Sequence, residues 1–160
     1  MEDPMLTLDL VPHLGVGPIL LGSARAEARV VLLALGFPLE PGGDSVDHFC
    51  QSAIQIEYGP DDRVSFIGLS CHERFAVSYQ GRSVFALSAP DVFALMAASE
   101  RSASHTYQEY EYCFPDQIIT LWNADEQYDR LGRESRPVWA QVGLGDKTYL
   151  AAIAAIRGKA

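Results

Sequence analysis

The residues that could support nucleophilic chemistry are cysteines and histidines that lie close together in the chain. Cys50 follows His48 by two positions, and Cys71 directly precedes His72. A thiol nucleophile requires a histidine that takes its proton and an acid or amide that orients the histidine. On a strand, adjacent side chains point to opposite faces, so only His48 and Cys50 could share one. Because buried structural cysteines are much more common than catalytic ones, we assign no catalytic residue from the sequence.

Sequence motifs for metal ions and cofactors are absent. The chain has neither the Cys-x-x-Cys nor the His-x-x-x-His spacing that is common in zinc sites. It lacks the glycine patterns of phosphate-binding and dinucleotide-binding loops, and Gly15-Val-Gly17 precedes a proline, which is typical of a turn. A Gly-x-Ser-x-Gly nucleophile elbow is also missing. We therefore expect no metal site and no cofactor.

Paired carboxylates offer a third kind of chemistry, and the clearest pair is Asp61-Asp62 in the stretch EYGPDDRV that starts at Glu57. General acid–base catalysis would need one carboxyl group to be desolvated, which a turn does not provide. A calcium loop would need oxygen ligands at alternate positions, a glycine and a distal glutamate, and this stretch does not meet that pattern. Aspartate closes tight turns with its own side chain, so the pair predicts the bend of a hairpin.

The most distinctive surface candidate is the tyrosine–glutamate segment of residues 107–112. As a strand it would direct its tyrosines at 110 and 112 to one side and its glutamates to the other. The ordinary interpretation is a strand with aromatic side chains in the core and acids in water. The functional interpretation is an exposed patch that binds a basic protein surface. The candidate partner-binding residues are Tyr107, Glu109, Tyr110, Glu111 and Tyr112.

Two helices are predicted from hydrophobic periodicity and capping signals. Residues 24–35 carry apolar side chains at the i, i+3, i+4, i+7 spacing of one helical face, with Ser23 as the N-cap and Gly36 just beyond the end. A second helix begins at Ser88, where a proline and then Asp91 complete a pattern that resembles a capping box.

Strands are predicted around the acidic bend and in the second half of the chain. Residues 54–58 alternate apolar and polar side chains, and residues 64–69 continue as an apolar strand, so together they form a hairpin. Trp122 and Trp139 lie on later predicted strands, and we expect both in the core.

The order helix, hairpin, strand occurs twice, and a shift of 64 residues places Tyr58 over Trp122 and Asp61 over Asp125. The sequence therefore predicts an α+β fold in which two helices pack on one face of an antiparallel sheet and a helix–hairpin–strand unit is duplicated in tandem. We expect an N-terminal arm over residues 1–14 and a single domain over 15–160. Within it, pseudo-repeats span about 15–80 and 81–150, and a short C-terminal helix spans 151–158.

Composition excludes several function classes. The net charge of −9 and only 12 Lys and Arg residues argue against nucleic-acid binding, which needs clustered basic side chains, and against anionic membranes. The acidic start MEDPMLTLDL is unlike a secretory signal, and three irregularly spaced cysteines indicate reduced thiols. We therefore expect a cytoplasmic protein whose acidity suits a basic protein partner.

The stretch GVGPILLGSARAEARVVLLALGFP resembles the opening of several small uncharacterised bacterial α+β proteins. The residues that carry this resemblance are Gly15, Gly17, Leu21, Gly22, Ser23, Glu27, Leu35, Gly36 and Pro38. A related helix opens each repeat of the β-lactamase-inhibitor-protein and outer-membrane assembly lipoprotein (BamE-like) folds, which lay helices against an antiparallel sheet. The stretches YEYCFPDQIITLWN and RPVWAQVGLG are similar to the second half of uncharacterised bacterial proteins, some of them discussed as immunity partners of toxins. The resemblance implies a tandem-repeat fold.

The leading functional hypothesis is a non-catalytic protein-binding module of the bacterial cytosol, with an immunity or inhibitor-type role in neutralising a toxin as its concrete form. One alternative is a small enzyme or small-molecule binder that uses a cleft between the two halves and a Cys/His pair. Another is a structural homodimer formed through an open sheet edge.

Overall fold

The computed structural model describes residues 6–41, 45–102, 104–128 and 135–158 of the 160-residue chain. The helices in these ranges are α1 (Arg25–Ala34), α2 (Ala89–Ser99) and α3 (Lys147–Gly158). The strands are β1 (Leu6–Val11), β2 (Gly15–Val16), β3 (Ile19–Leu20), β4 (Val46–Phe49), β5 (Ile54–Tyr58), β6 (Val64–Leu69), β7 (Phe75–Tyr79), β8 (Arg82–Ser83), β9 (Glu111–Phe114), β10 (Ile119–Tyr128) and β11 (Ser135–Gly145).

The strands form two sheets, where the sequence predicted one antiparallel sheet. The larger sheet has six strands in the order β4-β5-β6-β11-β10-β9, and every pairing in it is antiparallel. The smaller sheet has the order β3-β2-β1-β7-β8, and its β1–β7 pairing is parallel. The segment Leu6–Val11, expected in an N-terminal arm, is thus the middle strand of the smaller sheet. The α+β class is confirmed, and the layout of the sheets differs from the prediction.

Helix α1 occupies the predicted segment but is capped differently. Ala24 holds the N-cap position and makes no side-chain capping hydrogen bond, because the Ser23 hydroxyl instead donates to the carbonyl oxygen of Leu20 at 2.8 Å. The helix ends before Gly36, whose φ of 95° is the left-handed conformation that favours glycine at a helix C-terminus. The predicted stop signal is therefore correct, and the predicted serine cap is not formed.

An ion pair with a buried carboxylate and a partly exposed guanidinium joins α1 to the larger sheet. Asp47 on β4 is 1% exposed and accepts hydrogen bonds from the Arg29 guanidinium at 2.8 and 2.9 Å and from the Tyr58 hydroxyl at 2.7 Å. Arg25 lies 4.1 Å above the centroid of the Tyr58 ring and pairs with Asp62 at 3.0 Å. Burial alone would raise the pKa of Asp47, but the hydrogen bonds from Arg29 and Tyr58 together hold that pKa below its usual value.

Helix α2 begins as the capping pattern predicts. The Ser88 hydroxyl accepts the backbone N–H of Asp91 at 3.3 Å, and Pro90 lies in the first turn, where its missing N–H costs no hydrogen bond. Trp139 on β11 is fully buried, as expected, and its indole N–H donates to the carbonyl oxygen of Ala89 at 3.1 Å. This bond fixes the start of α2 against the sheet.

The hairpin of β5 and β6 is formed as predicted, and the acidic pair forms its bend. The Asp61 carboxylate accepts the backbone N–H of Arg63 at 3.2 Å, and Asp62 adopts a left-handed φ of 62°. The N–H of Gly59 donates to the carbonyl oxygen of Arg63 at 2.9 Å and closes the turn. The two aspartates therefore serve turn geometry and the ion pair with Arg25.

Alternation along the strands gives the larger sheet a buried face and an open face. One cross-strand row of the buried face crosses all six strands through Asp47, Ile56, Ile67, Leu144, Ile119 and Phe114. Helix α1 reaches this row through Arg29, and α2 reaches it through Phe93, whose ring centroid lies 5.2 Å from that of Phe114.

Helix α3 is a third helix, and it starts earlier than the predicted 151–158 segment. The Asp146 carboxylate accepts the backbone N–H of Tyr149 at 3.0 Å, so Asp146 acts as the N-cap. Tyr149 then stacks on Phe66 with ring centroids 4.4 Å apart. Phe66 alternates with the buried Ile67, so α3 lies on the open face, opposite α1 and α2.

Candidate functional site

The open face carries side chains that alternate with the buried rows. On β10 the side chains of Ile119 and Leu121 are fully buried, which directs Trp122 to the opposite face. The cross-strand neighbours of Trp122 are Gln141 on β11 and Glu111 on β9. The strand ladder thus places an indole ring between an amide and a carboxylate.

Among the residues whose burial the structure describes, Trp122 and Tyr110 are the large aromatic side chains that remain in solvent. Tyr110 is 80% exposed and Trp122 is 52% exposed, so the expectation that Trp122 lies in the core is wrong. The carbonyl oxygen of Tyr110 accepts the N–H of Asn123 at 2.6 Å, which holds Tyr110 beside the β10 strand. The alternation of Ile119 and Leu121 was the signal in the sequence that could have placed Trp122 outside. Exposed aromatic groups of this size are typical of binding surfaces.

The five residues of the predicted partner-binding segment divide into two groups. Tyr107 and Tyr112 are partly buried, with ring centroids 5.6 and 4.7 Å from that of Phe93. Glu109, Tyr110 and Glu111 are exposed. Only β9, starting at Glu111, is regular strand, so the simple alternation expected for the whole segment does not apply to Tyr110.

Tyr112 is further fixed by a chain of hydrogen bonds. Its hydroxyl contacts Nδ1 of His105, while Nε2 of His105 lies 2.9 Å from the Ser102 hydroxyl, which donates to Glu100 at 2.5 Å. Burial alone would raise the pKa of Glu100, but these and neighbouring hydrogen bonds lower it. Because the Ser102 hydroxyl donates its hydrogen bond to the Glu100 carboxylate, it offers no proton to His105, and the chain of hydrogen bonds serves to hold the Tyr112 hydroxyl in place.

A small trough crosses the open face and has a volume of about 110 Å³. Its lining residues are Glu57, Phe66, Glu111, Thr120, Leu121, Trp122, Gln141 and Tyr149. Two glycines make room for it, because Gly68 and Gly143 are cross-strand partners without side chains. A Cβ atom on Gly143 would lie 2.3 Å from the Phe66 ring, so this ring lies down over the glycine and forms part of the floor.

Glu57 brings to the trough a carboxylate that is partly buried and that no described residue pairs with through a hydrogen bond or an ion pair. Burial raises the pKa of Glu57 above its usual range. Among the described lining residues there is no lysine or arginine, so the positive charge that such a carboxylate favours is not supplied from within the trough.

A thiol–imidazole pair lies elsewhere in the molecule, and its partners differ from the pair expected to share a strand face. Cys50 Sγ lies 3.5 Å from Nδ1 of His72, not beside His48. Nδ1 of His72 accepts the backbone N–H of Arg74 at 3.1 Å, so the ring proton is on Nε2, which lies 2.9 Å from the Gln51 side-chain oxygen. The thiol, imidazole and amide have the relation of a nucleophile, a base and an orienting group.

The surroundings of Cys50 do not complete this arrangement as a catalytic centre. Burial raises the pKa of the Cys50 thiol, so at neutral pH it holds its proton. Cys50, Gln51 and Ser52 all have positive φ, but their turn is held by Glu40, which accepts the N–H groups of Gln51 and Ser52 at 3.0 and 2.8 Å. These amides are therefore not available to stabilise an oxyanion.

A separate cleft of about 450 Å³ opens where the smaller sheet meets the β9–β10 connection. Its polar side chains include His13, Arg101, Asp116 and Gln117, and it contains no cysteine. The lining of this cleft therefore does not include the Cys50–His72 pair.

The described residues contain no group of three or more His, Cys, Asp or Glu side chains arranged to hold a metal ion. Within the same ranges, no helix has the length and apolarity needed to cross a membrane. Comparisons with protein-family models, with curated proteins and with solved structures gave no match to this chain.

Proposed function

We propose that the protein is a non-catalytic protein-binding module that recognises a basic partner through the open face of the larger sheet. The observation that carries the proposal is the exposure of Trp122 next to Glu111 on this face. Tyr110 and Glu109 are also exposed, and their backbone carbonyls hold them at the adjoining edge of β10. Aromatic anchors supply most of the binding energy at protein interfaces, and complementary charge steers the encounter. The net charge of −9 extends that steering over the whole surface.

The concrete form of this function is the neutralisation of a bacterial toxin in the cytoplasm, as an immunity or inhibitor-type protein. The resemblance of Gly15–Pro38 to openings of repeat-containing inhibitor folds supports it. So does the order of the larger sheet, in which α1 and α2 are each followed by three antiparallel strands that meet at the β6–β11 pair. We infer from this order that a helix–strand unit is duplicated in tandem, which would provide a wide, slightly twisted face for a partner.

Affinity purification from the native host tests this function. The tagged wild-type chain is compared with Trp122→Ala and Tyr110→Ala, and retained proteins are quantified by mass spectrometry. We expect one basic protein at near-equal stoichiometry with the wild type. Each exchange should reduce its retention about tenfold, the loss typical of an interface hot spot. Higher salt should weaken the complex because exposed charges are screened.

The control variant is Leu33→Ala on α1, which removes another apolar side chain that is 61% exposed and lies on a different element. It should leave retention unchanged. Equal retention by all four proteins, or the absence of any stoichiometric basic partner, would contradict the proposal.

Thiol chemistry at Cys50 is the second candidate function, and the 3.5 Å approach of His72 is the observation that favours it. It requires Cys50 to react rapidly near neutral pH and to lose that reactivity in His72→Ala. Slow labelling that His72→Ala does not change would leave the protein-binding function as the better account.

A further inference from the structure

We propose that the trough on the open face holds an arginine side chain of the basic partner, with Glu57 as its counter-ion. This inference rests on the proposed function and names the group that the binding face recognises. It assigns the trough residues a common purpose: an aromatic lining for a flat cation and one carboxylate that has no partner among the residues that the structure describes.

The aromatic lining favours a guanidinium over other cations. Trp122 is half exposed at the trough and is the ring that an incoming cation can reach. Phe66 is 3% exposed and stacks under Tyr149 with centroids 4.4 Å apart, so this pair supports the trough from below. A guanidinium is planar and weakly hydrated, so it stacks on aromatic rings and leaves water at lower cost than an ammonium group. The molecule already shows this preference twice, since Arg25 lies 4.1 Å above Tyr58 and Arg74 lies 4.6 Å above Phe37.

The charge of the trough supplies the second part of the recognition. Glu57 is partly buried without a hydrogen bond or ion pair from the described residues, and such a carboxylate gains from an incoming cation. Glu111 lies on β9 at the far side of the same trough and adds negative potential. An apolar or acidic occupant would leave Glu57 buried and uncompensated, so charge complementarity selects a basic one.

The positions of these groups are fixed by the fold before any partner arrives. The Asp146 cap places Tyr149 in the first turn of α3. Because Gly143 has no side chain, the Phe66 ring can lie flat over it and beneath the Tyr149 ring. The cross-strand register places Glu57 directly opposite Phe66. A preformed pocket avoids the ordering cost that a flexible loop would add to binding.

The test uses arginine amide as the probe and lysine amide as its comparison, titrated into the full chain and followed by two-dimensional NMR. We expect saturable shifts of the Glu57 and Phe66 amides and of the Trp122 indole N–H, with arginine amide binding more tightly than lysine amide. Glu57→Gln should weaken the binding of arginine amide about tenfold, because a charge-assisted hydrogen bond is lost. The matched control is Glu27→Gln, which removes an exposed carboxylate on α1 and should change nothing.

The assignment of the trough would be overturned by shifts that do not saturate, that spread over the acidic surface, or that are the same in Glu57→Gln. Equal binding of arginine amide and lysine amide would also overturn it. Thermal unfolding of Glu57→Gln should occur at or above the wild-type temperature, which separates lost binding from lost folding. Arginine-amide binding without any basic protein partner would count against the proposed function only. A protein partner whose binding is lost in Trp122→Ala but unchanged in Glu57→Gln would count only against the assignment of the trough as an arginine site.

Discussion

Replacing Arg29 by methionine should destabilise the protein strongly, because it leaves the Asp47 carboxylate buried without its cationic partner. Asp47 is 1% exposed and receives two of its three hydrogen bonds from Arg29. Removing one partner of a buried ion pair costs about 3–5 kcal/mol. The Arg29 side chain is 38% exposed and the Tyr58 hydroxyl stays in place, so we expect the lower end, about 3 kcal/mol. For a domain of this size that loss lowers Tm by roughly 6–12 °C.

The same exchange should change the pH dependence of stability. In the wild type the pKa of Asp47 is lowered on folding, so this group contributes stability above the ordinary aspartate pKa and loses it as pH falls through the folded-state value. In Arg29→Met, burial is opposed only by the Tyr58 hydroxyl and by the more distant charge of Arg25, and the folded-state pKa should rise above the unfolded one. The contribution then reverses sign, and Asp47 destabilises the fold at neutral pH and less so in acid.

Urea unfolding at pH 7 and at pH 5, followed by the fluorescence of the buried Trp139, measures both effects. The double variant Arg29→Met/Asp47→Leu is the control, because it replaces both charges by apolar groups and should regain most of the lost stability. A loss below about 1 kcal/mol in Arg29→Met, or a double variant as unstable as the single one, would show that the pair behaves as a surface salt bridge.

Three further outcomes follow from local geometry. Gly143→Ala should lower the free energy of unfolding by about 1–3 kcal/mol, because its Cβ atom would lie 2.3 Å from the Phe66 ring. Urea unfolding measures this loss, and an unchanged midpoint would contradict the packing described. Ser88→Ala should cost about 1 kcal/mol through loss of the α2 cap, seen as a lower Tm by circular dichroism, with Ser88→Asp retaining most of it. The exposed Cys71 should react with a thiol reagent well before Cys50, whose pKa is raised by burial. Mass spectrometry of partly labelled protein gives the order in which the two thiols react, and early labelling of Cys50 would refute the prediction.

Local sequence signals predicted the elements that depend on neighbouring residues. The α2 cap at Ser88, the end of α1 at Gly36 and the hairpin around Asp61 are all set within a few positions, and each is formed as expected. The exception is Ser23, whose hydroxyl bonds to the preceding turn at Leu20 and not to the helix. Short polar side chains such as serine have several backbone hydrogen-bond partners within reach, so the residue type alone does not determine which partner is used.

Features that depend on distant residues were not predictable in this way. The parallel ladder of β1 and β7 and the contact of Cys50 with His72 join segments that are far apart in the chain, and no periodicity records such partners. The position of Trp122 was mistaken because aromatic residues were assumed to be buried, although the alternation of Ile119 and Leu121 already placed it outside. On the open face of the larger sheet, the rule that large apolar groups are internal does not hold for Trp122.

The middle position of β1 in the smaller sheet makes that sheet vulnerable to a single event. The strand is held on one side by β2 and on the other by β7, and its ladder with β7 starts at the Leu6–Phe75 pair. Clipping or displacing this one segment would leave two separate two-stranded ribbons, each marginal in water, with two bare hydrogen-bonding edges between them. A neighbouring molecule could fill that gap with its own copy of the strand, so displacement of β1 opens a route to pairs of chains that exchange this strand.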